Sequence, residues 1–141
     1  MAVVARYLVD TSALARMRYP TVAEQLAPLI EAGLVATCPV IDMEVLFSTR
    51  TPAEYVQVRE DRSRAYEYLS IDDRVWRRAE AVQAMLAQRS RLRSVAIPDL
   101  LVAAVADLHR IPVLHYDADY EHVATVTEQD VRWVVPRGSV P

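Results

Sequence analysis

The chain has 141 residues, 52% of them apolar, enough for one domain with a substantial hydrophobic core. All sixteen of its cations are arginine and only two residues are glycine, which excludes Schiff-base enzymes, lysine-dependent phosphate loops and glycine-rich nucleotide cradles. A net charge of −3 argues against broad, non-specific nucleic-acid binding, so a nucleic-acid enzyme here needs local arginines or bound cations.

The first element is a buried strand over Arg6–Thr11, reaching its carboxyl end at Asp10. Val22, Leu26, Leu29 and Ile30 share one stripe of a helix over Thr21–Ala32, and Gly33 is a natural stop for it. Leu34–Cys38 reads as a second strand, and a lone cysteine at its end cannot make an internal disulfide. Pro39 opens a helix to Arg50, and Pro52 opens another to Tyr68 with Tyr55, Val58, Arg62 and Ala65 in register. Leu69–Ile71 is expected as a short third strand, followed by a long helix to Arg89 capped by Asp72 and Asp73.

Pro98–His109 is apolar nearly all round and is expected to be a buried helix. Its run Leu100–Ala106 is the longest apolar stretch, far short of the roughly 20 residues of a membrane span. Val113–Tyr116 forms a fourth strand, Asp119–Ala124 a short helix and Val131–Val135 a last strand. The expected domain is 1–136, with 137–141 as a disordered tail. Met1–Arg6 does not read as a signal peptide, and with one free thiol the expected setting is the cytoplasm.

Strands alternating with helices imply parallel pairing in an α/β fold, whose ligands sit beyond the carboxyl ends of the strands where strand order reverses. Several acids fall at such positions. Asp10 ends the first strand and fits either an N-cap or a ligand role. Asp117 ends the fourth strand, where turn chemistry is the competing explanation, and Asp119 beside it is the better cap. Asp99 follows Pro98 at a helix start, where the dipole alone favours a carboxylate. Glu44 lies among Val40, Ile41, Met43, Val45 and Leu46, and a glutamate buried there needs a partner or a cation. Converging carboxylates repel until one takes a proton or a cation neutralises them, and an all-oxygen set selects a hard ion, Mg²⁺ or Mn²⁺. His115 adjoins Asp117, but strand alternation turns it to the other face, as a structural residue.

These residues bear a resemblance to a known family. Tyr7-Leu8-Val9-Asp10-Thr11-Ser12 resembles the opening of PIN-domain nucleases, Glu44-Val45-Leu46 their helical glutamate, Ile97-Pro98-Asp99-Leu100 their third motif, and His115-Tyr116-Asp117-Ala118-Asp119 their fourth. The likeness runs from Tyr7 to Pro136, and size and order resemble VapC toxins of toxin–antitoxin pairs. It implies a three-layer α/β/α fold with a five-stranded parallel sheet of order 3-2-1-4-5. It also implies Mg²⁺-dependent RNA cleavage, homodimerisation and inhibition by a cognate antitoxin.

On that reading Asp10, Glu44, Asp99 and Asp117 carry the metal, with Asp119 assisting, and a bound ion acidifies the attacking water. Thr11 and Ser12 either orient Asp10 and the phosphate or simply cap. Arg89, Arg91 and Arg93 either guide RNA or form a solvated helix end. Two rivals stand beside the nuclease: an aspartyl-phosphate phosphotransfer domain with Asp10 as nucleophile, and an inactive PIN-like binding module.

Overall fold

The computed structural model describes residues 2–141. Five strands, β1 (Tyr7–Val9), β2 (Val35–Thr37), β3 (Glu67–Tyr68), β4 (Val113–His115) and β5 (Val131–Trp133), form one sheet of order β3-β2-β1-β4-β5. Every pairing is parallel. This is the strand order that the family resemblance implies. Leu8 sits opposite Val113 and Val9 opposite Leu114, so β1 and β4 are neighbours at the point of reversal.

Seven helices are described: α1 (Thr11–Leu14), α2 (Pro20–Glu31), α3 (Pro39–Phe47), α4 (Pro52–Ala65), α5 (Asp73–Gln88), α6 (Ile97–His109) and α7 (Asp119–Thr127). Leu8, Ala36 and Val113 point into one core, with the inner faces of α5, α6 and α7. Their strand neighbours Val9, Val35 and Leu114 point into a second core against Ala13, Val22 and Leu26. Strand alternation thus fills both faces of the sheet, and the result is three layers. Helix α6 buries every residue from Leu100 to Ala106, as its all-round apolarity requires.

Where boundaries differ from the sequence pattern, backbone pairing explains the difference. Helix α4 stops at Ala65 because Tyr66 turns extended, which lets Glu67 and Tyr68 pair with Ala36 and Thr37. The third strand therefore precedes the expected Leu69–Ile71. Glu67 Oε1 also accepts from the amides of Val4 and Ala5, at 3.0 and 2.7 Å. Gly33 does end α2: at φ 72° it lets the amide of Leu34 reach the Leu29 carbonyl.

Residues 137–141, expected to be disordered, instead fold back on the domain. The Tyr116 hydroxyl donates to the Val140 carbonyl and accepts from the amides of Gly138 and Val140. No local sequence signal reports this, because the anchor lies more than twenty positions away.

Candidate metal centre

Three elements present their acids at one end of the sheet. Asp10 leaves β1 just as the chain turns into α1, and its Oδ2 accepts from the Ser12 amide at 3.1 Å. It therefore is an N-cap, yet it is also only 3% exposed and buried at the reversal point. The cap and the site are one arrangement, because the same turn that needs an acceptor delivers the second oxygen to the centre.

That second oxygen, Oδ1, accepts from the Tyr120 hydroxyl at 2.8 Å. The same hydroxyl lies 3.4 Å from Asp99 Oδ1. Tyr120 is fully buried on α7, and burial followed by the fields of Asp10 and Asp99 holds its phenol well above its ordinary value. It stays protonated, donates to Asp10 and stands within reach of Asp99, so that it bridges aspartates brought from β1 and α6. Sequence reasoning missed it, since a lone tyrosine between Asp119 and Glu121 gives no local sign that its hydroxyl reaches Asp10, 110 positions earlier.

Asp99, in the first turn of α6, joins Asp117 and Asp119 in a cluster where one carboxylate oxygen of each lies within 4.8 Å of the others. Asp117 rather than Asp119 supplies the acceptor at this turn, and both remain in the cluster. Asp117 Oδ1 accepts from the Asp119 amide at 2.9 Å, while Asp119 opens α7 and its carboxyl turns towards Asp99. Burial, then the fields of Asp10 and Asp117, push the Asp99 carboxyl up to about 8. Burial and the charge of Asp117 also raise Asp119. At neutral pH the cluster thus retains a proton on Asp99. Among the described residues, no arginine forms an ion pair with any of these four aspartates.

Glu44 stands apart from the trio. It is exposed, because α3 buries only Ile41 and Leu46, which corrects the expectation of a buried glutamate. The Thr11 hydroxyl donates to Glu44 Oε1 at 3.0 Å and fixes it beside α1. Partial burial, with a contribution from Asp10, raises its carboxyl. Thr11 thus orients Glu44 rather than Asp10. Ser12 is structural as well: its hydroxyl accepts from the Tyr116 amide at 2.9 Å and ties α1 to the end of β4. The other acid on α3, Asp42, is committed elsewhere, at 3.0 Å from Arg62 and 2.7 Å from the Thr37 hydroxyl.

His115 is wholly buried and does not simply face away. Its Nδ1 accepts from the Asp117 amide at 3.2 Å, and its ring lies 5.0 Å from that of Tyr120. With Nδ1 accepting and burial lowering its pKa, it is a neutral spacer behind the acids. Arg89, Arg91 and Arg93 are exposed between the end of α5 and the start of α6, the helix end that carries Asp99. Arg89 donates to the Thr125 carbonyl at 2.9 Å.

Comparison with known proteins follows the same outline. The PIN domain family matches residues 7–126. Ribonuclease VapC21 of Mycobacterium tuberculosis is 45% identical over 134 residues, covering 95% of this chain and 97% of that protein. Ribonuclease VapC51 of the same organism is 41% identical, covering 96% and 97%. Among solved structures, a DNA-bound VapBC from Salmonella typhimurium superposes with a TM-score of 0.75 at 14% identity, over 93% of this chain and 99% of that one. VapBC-5 of Mycobacterium tuberculosis, a toxin–antitoxin system, gives a TM-score of 0.59 at 28% identity, over 91% and 97%.

Proposed function

The chain belongs to the PIN domain family, among the VapC ribonucleases, and from that premise we propose that it is a divalent-cation-dependent endoribonuclease toxin restrained by a cognate antitoxin. The observation that carries the cation dependence is the Asp99–Asp117–Asp119 cluster, whose oxygens lie within 4.8 Å while Asp99 holds its proton up to about 8. Such a site relaxes by taking either a proton or a cation. All-oxygen donors fit Mg²⁺ or Mn²⁺. Asp99, Asp117 and Asp119 would hold the ion, with Asp10 and Glu44 closing the site from β1 and α3.

A divalent ion bound there supplies charge neutralisation at the scissile phosphate and lowers the pKa of water. The protein's own groups do the rest. Tyr120 holds Asp10 and Asp99 in fixed orientation with a proton it does not release. Thr11 keeps Glu44 at the rim, positioned to accept a proton. The buried ring of His115 excludes water behind Asp117.

One feature weighs against a phosphotransfer domain: the chain has no lysine to neutralise an acyl phosphate on Asp10. An inactive binding module does not account for five acids kept at one end of the sheet.

The antitoxin reading is supported by α4. This helix of 14 residues buries none of them. With Phe47 92% exposed and Met43 71% exposed on α3, and Val56 exposed on α4, the hairpin offers an apolar surface that an amphipathic partner helix would cover. Homodimerisation and a cytoplasmic setting belong to the same proposal; among the described residues no helix is long and apolar enough to cross a membrane.

The test is cleavage of single-stranded RNA in Mg²⁺ against EDTA, with Asp10→Asn beside the wild type. Loss of cleavage in EDTA and in the variant supports the reading. Cleavage retained by folded Asp10→Asn at equal metal and protein defeats it.

A further inference from the structure

An open groove of about 510 Å³ adjoins the metal centre and shares Asp117 with it. Its size falls among the pockets of roughly 300–1,000 Å³ that take small organic groups. Its chemistry is the reverse of the aspartate cluster. Ser12 and Asp117 lie at its edge towards the acids, and its other polar and aromatic lining is Arg16, Tyr116, Trp133 and Arg137.

The aromatic floor is held in place from both sides. The Trp133 indole N–H donates to Glu121 Oε1 at 2.7 Å, and the ring meets His115 at 4.9 Å and the edge of Tyr116 at 5.3 Å. The two cations differ. Arg16 is fixed, with its guanidinium 4.5 Å from the Tyr116 ring centre and donating to the carbonyls of Ser12 and Pro141. Arg137 is only weakly tied. It lies 5.4 Å over Trp133, its only ion pair among the described residues is to Glu121 at 3.6 Å, and both side chains of that pair are at least half exposed. Such a pair contributes little, so the guanidinium is available to a better anion.

We propose that this groove is the subsite for the nucleotide next to the scissile phosphate, with its base stacked on Trp133 in place of Arg137 and its phosphate held by Arg16 and Arg137. The inference rests on the nuclease reading and extends it. A chain of net charge −3 whose reactive centre is itself anionic needs local cations for a polyanionic substrate, and this groove sets two arginines and two aromatic rings beside Asp117. Flat aromatic faces with arginine are what unstacked single-stranded RNA uses, because every base offers a π face and every linkage a phosphate. The expected ligand is therefore a single strand, with weak base preference at this position.

The test is binding of a fluorescein-labelled single-stranded RNA of mixed sequence to the full chain with Ca²⁺ in place of Mg²⁺. Trp133→Ala is expected to weaken binding about 10- to 100-fold, while Trp133→Phe stays within about threefold. Arg137→Ala, at an exposed position that does not endanger folding, is expected to lower the slope of log Kd against log salt by about 0.7. RNA carrying 4-thiouridine is expected to crosslink to the peptide holding Trp133 on irradiation. Wild type that cleaves and binds RNA while Trp133→Ala and Arg137→Ala match it in affinity and salt slope overturns the subsite. So does crosslinking confined to Arg89–Arg93. If Trp133→Ala does not fold, the salt slope of Arg137→Ala and the crosslink site decide. Wild type that does not cleave RNA in Mg²⁺ strikes the nuclease reading instead, which the cleavage assay reads separately.

Discussion

Tyr120 has a single proton to give, and two carboxylates from different elements compete for it, at 2.8 and 3.4 Å. Removing it leaves Asp10 Oδ1 buried without its donor, which costs about 1–3 kcal/mol. Tyr120→Phe is expected to lower unfolding free energy by that amount in denaturant titrations and to slow RNA cleavage at least tenfold, because Asp10 and Asp99 lose their common anchor. Asp99 gives a second prediction at this scale. Its folded pKa of about 8 lies far above the roughly 3.9 of an unfolded aspartate, so the folded state binds the extra proton. That contribution to stability is complete below about pH 4 and is lost as pH rises through about 8. Melting temperature in EDTA should therefore fall between pH 5.5 and 9 in the wild type. Asp99→Asn should flatten that fall while abolishing cleavage, and an unchanged slope in the variant would assign the pH dependence to another group.

At the scale of elements, α4 is the exception in a molecule otherwise held by apolar faces. It buries no residue fully, and its tie to the body is Arg62, whose guanidinium reaches Asp42 and the Thr37 hydroxyl and lies 4.7 Å over the Tyr66 ring. The Arg62 side chain is only 10% exposed, so this pair is screened far less than a surface one. Arg62, in register with Tyr55, Val58 and Ala65, is the arginine of Arg59–Arg64 that the fold turns inward. Arg62→Ala is expected to destabilise by about 1–3 kcal/mol and to raise amide exchange across Pro52–Ala65, with β1 and α6 still protected. Cleavage should change less than threefold, since α4 carries none of the site acids. Equal loss of protection in α4 and α6 would show that the helix is not an independent unit.

At the scale of the whole molecule, the strained cluster couples the ion to the fold. A cation that binds the folded state alone stabilises by about 2.7 kcal/mol at a hundred times its Kd. Because it must displace the Asp99 proton, its affinity should rise from pH 6 to 8. Mg²⁺ is thus expected to raise the melting temperature more at pH 8 than at pH 6, and the reverse order would place the ion elsewhere. The layered architecture and the acids at strand ends were legible in the sequence because both follow from periodicity. Alternating faces dictate which residues enter which core, and an aspartate after an apolar strand marks the switch point. The Tyr120 bridge to Asp10 and Asp99, the Thr11–Glu44 hydrogen bond and the return of residues 137–141 onto Tyr116 were not legible. Each depends on a contact between residues whose spacing along the chain carries no pattern. Sequence alone therefore determined the layers, the strand order implied by family likeness, and the placing of acids at the strand ends. Only the tertiary structure decided which oxygens face one another, because hydrogen-bond partners and electric fields act through space over a few ångströms.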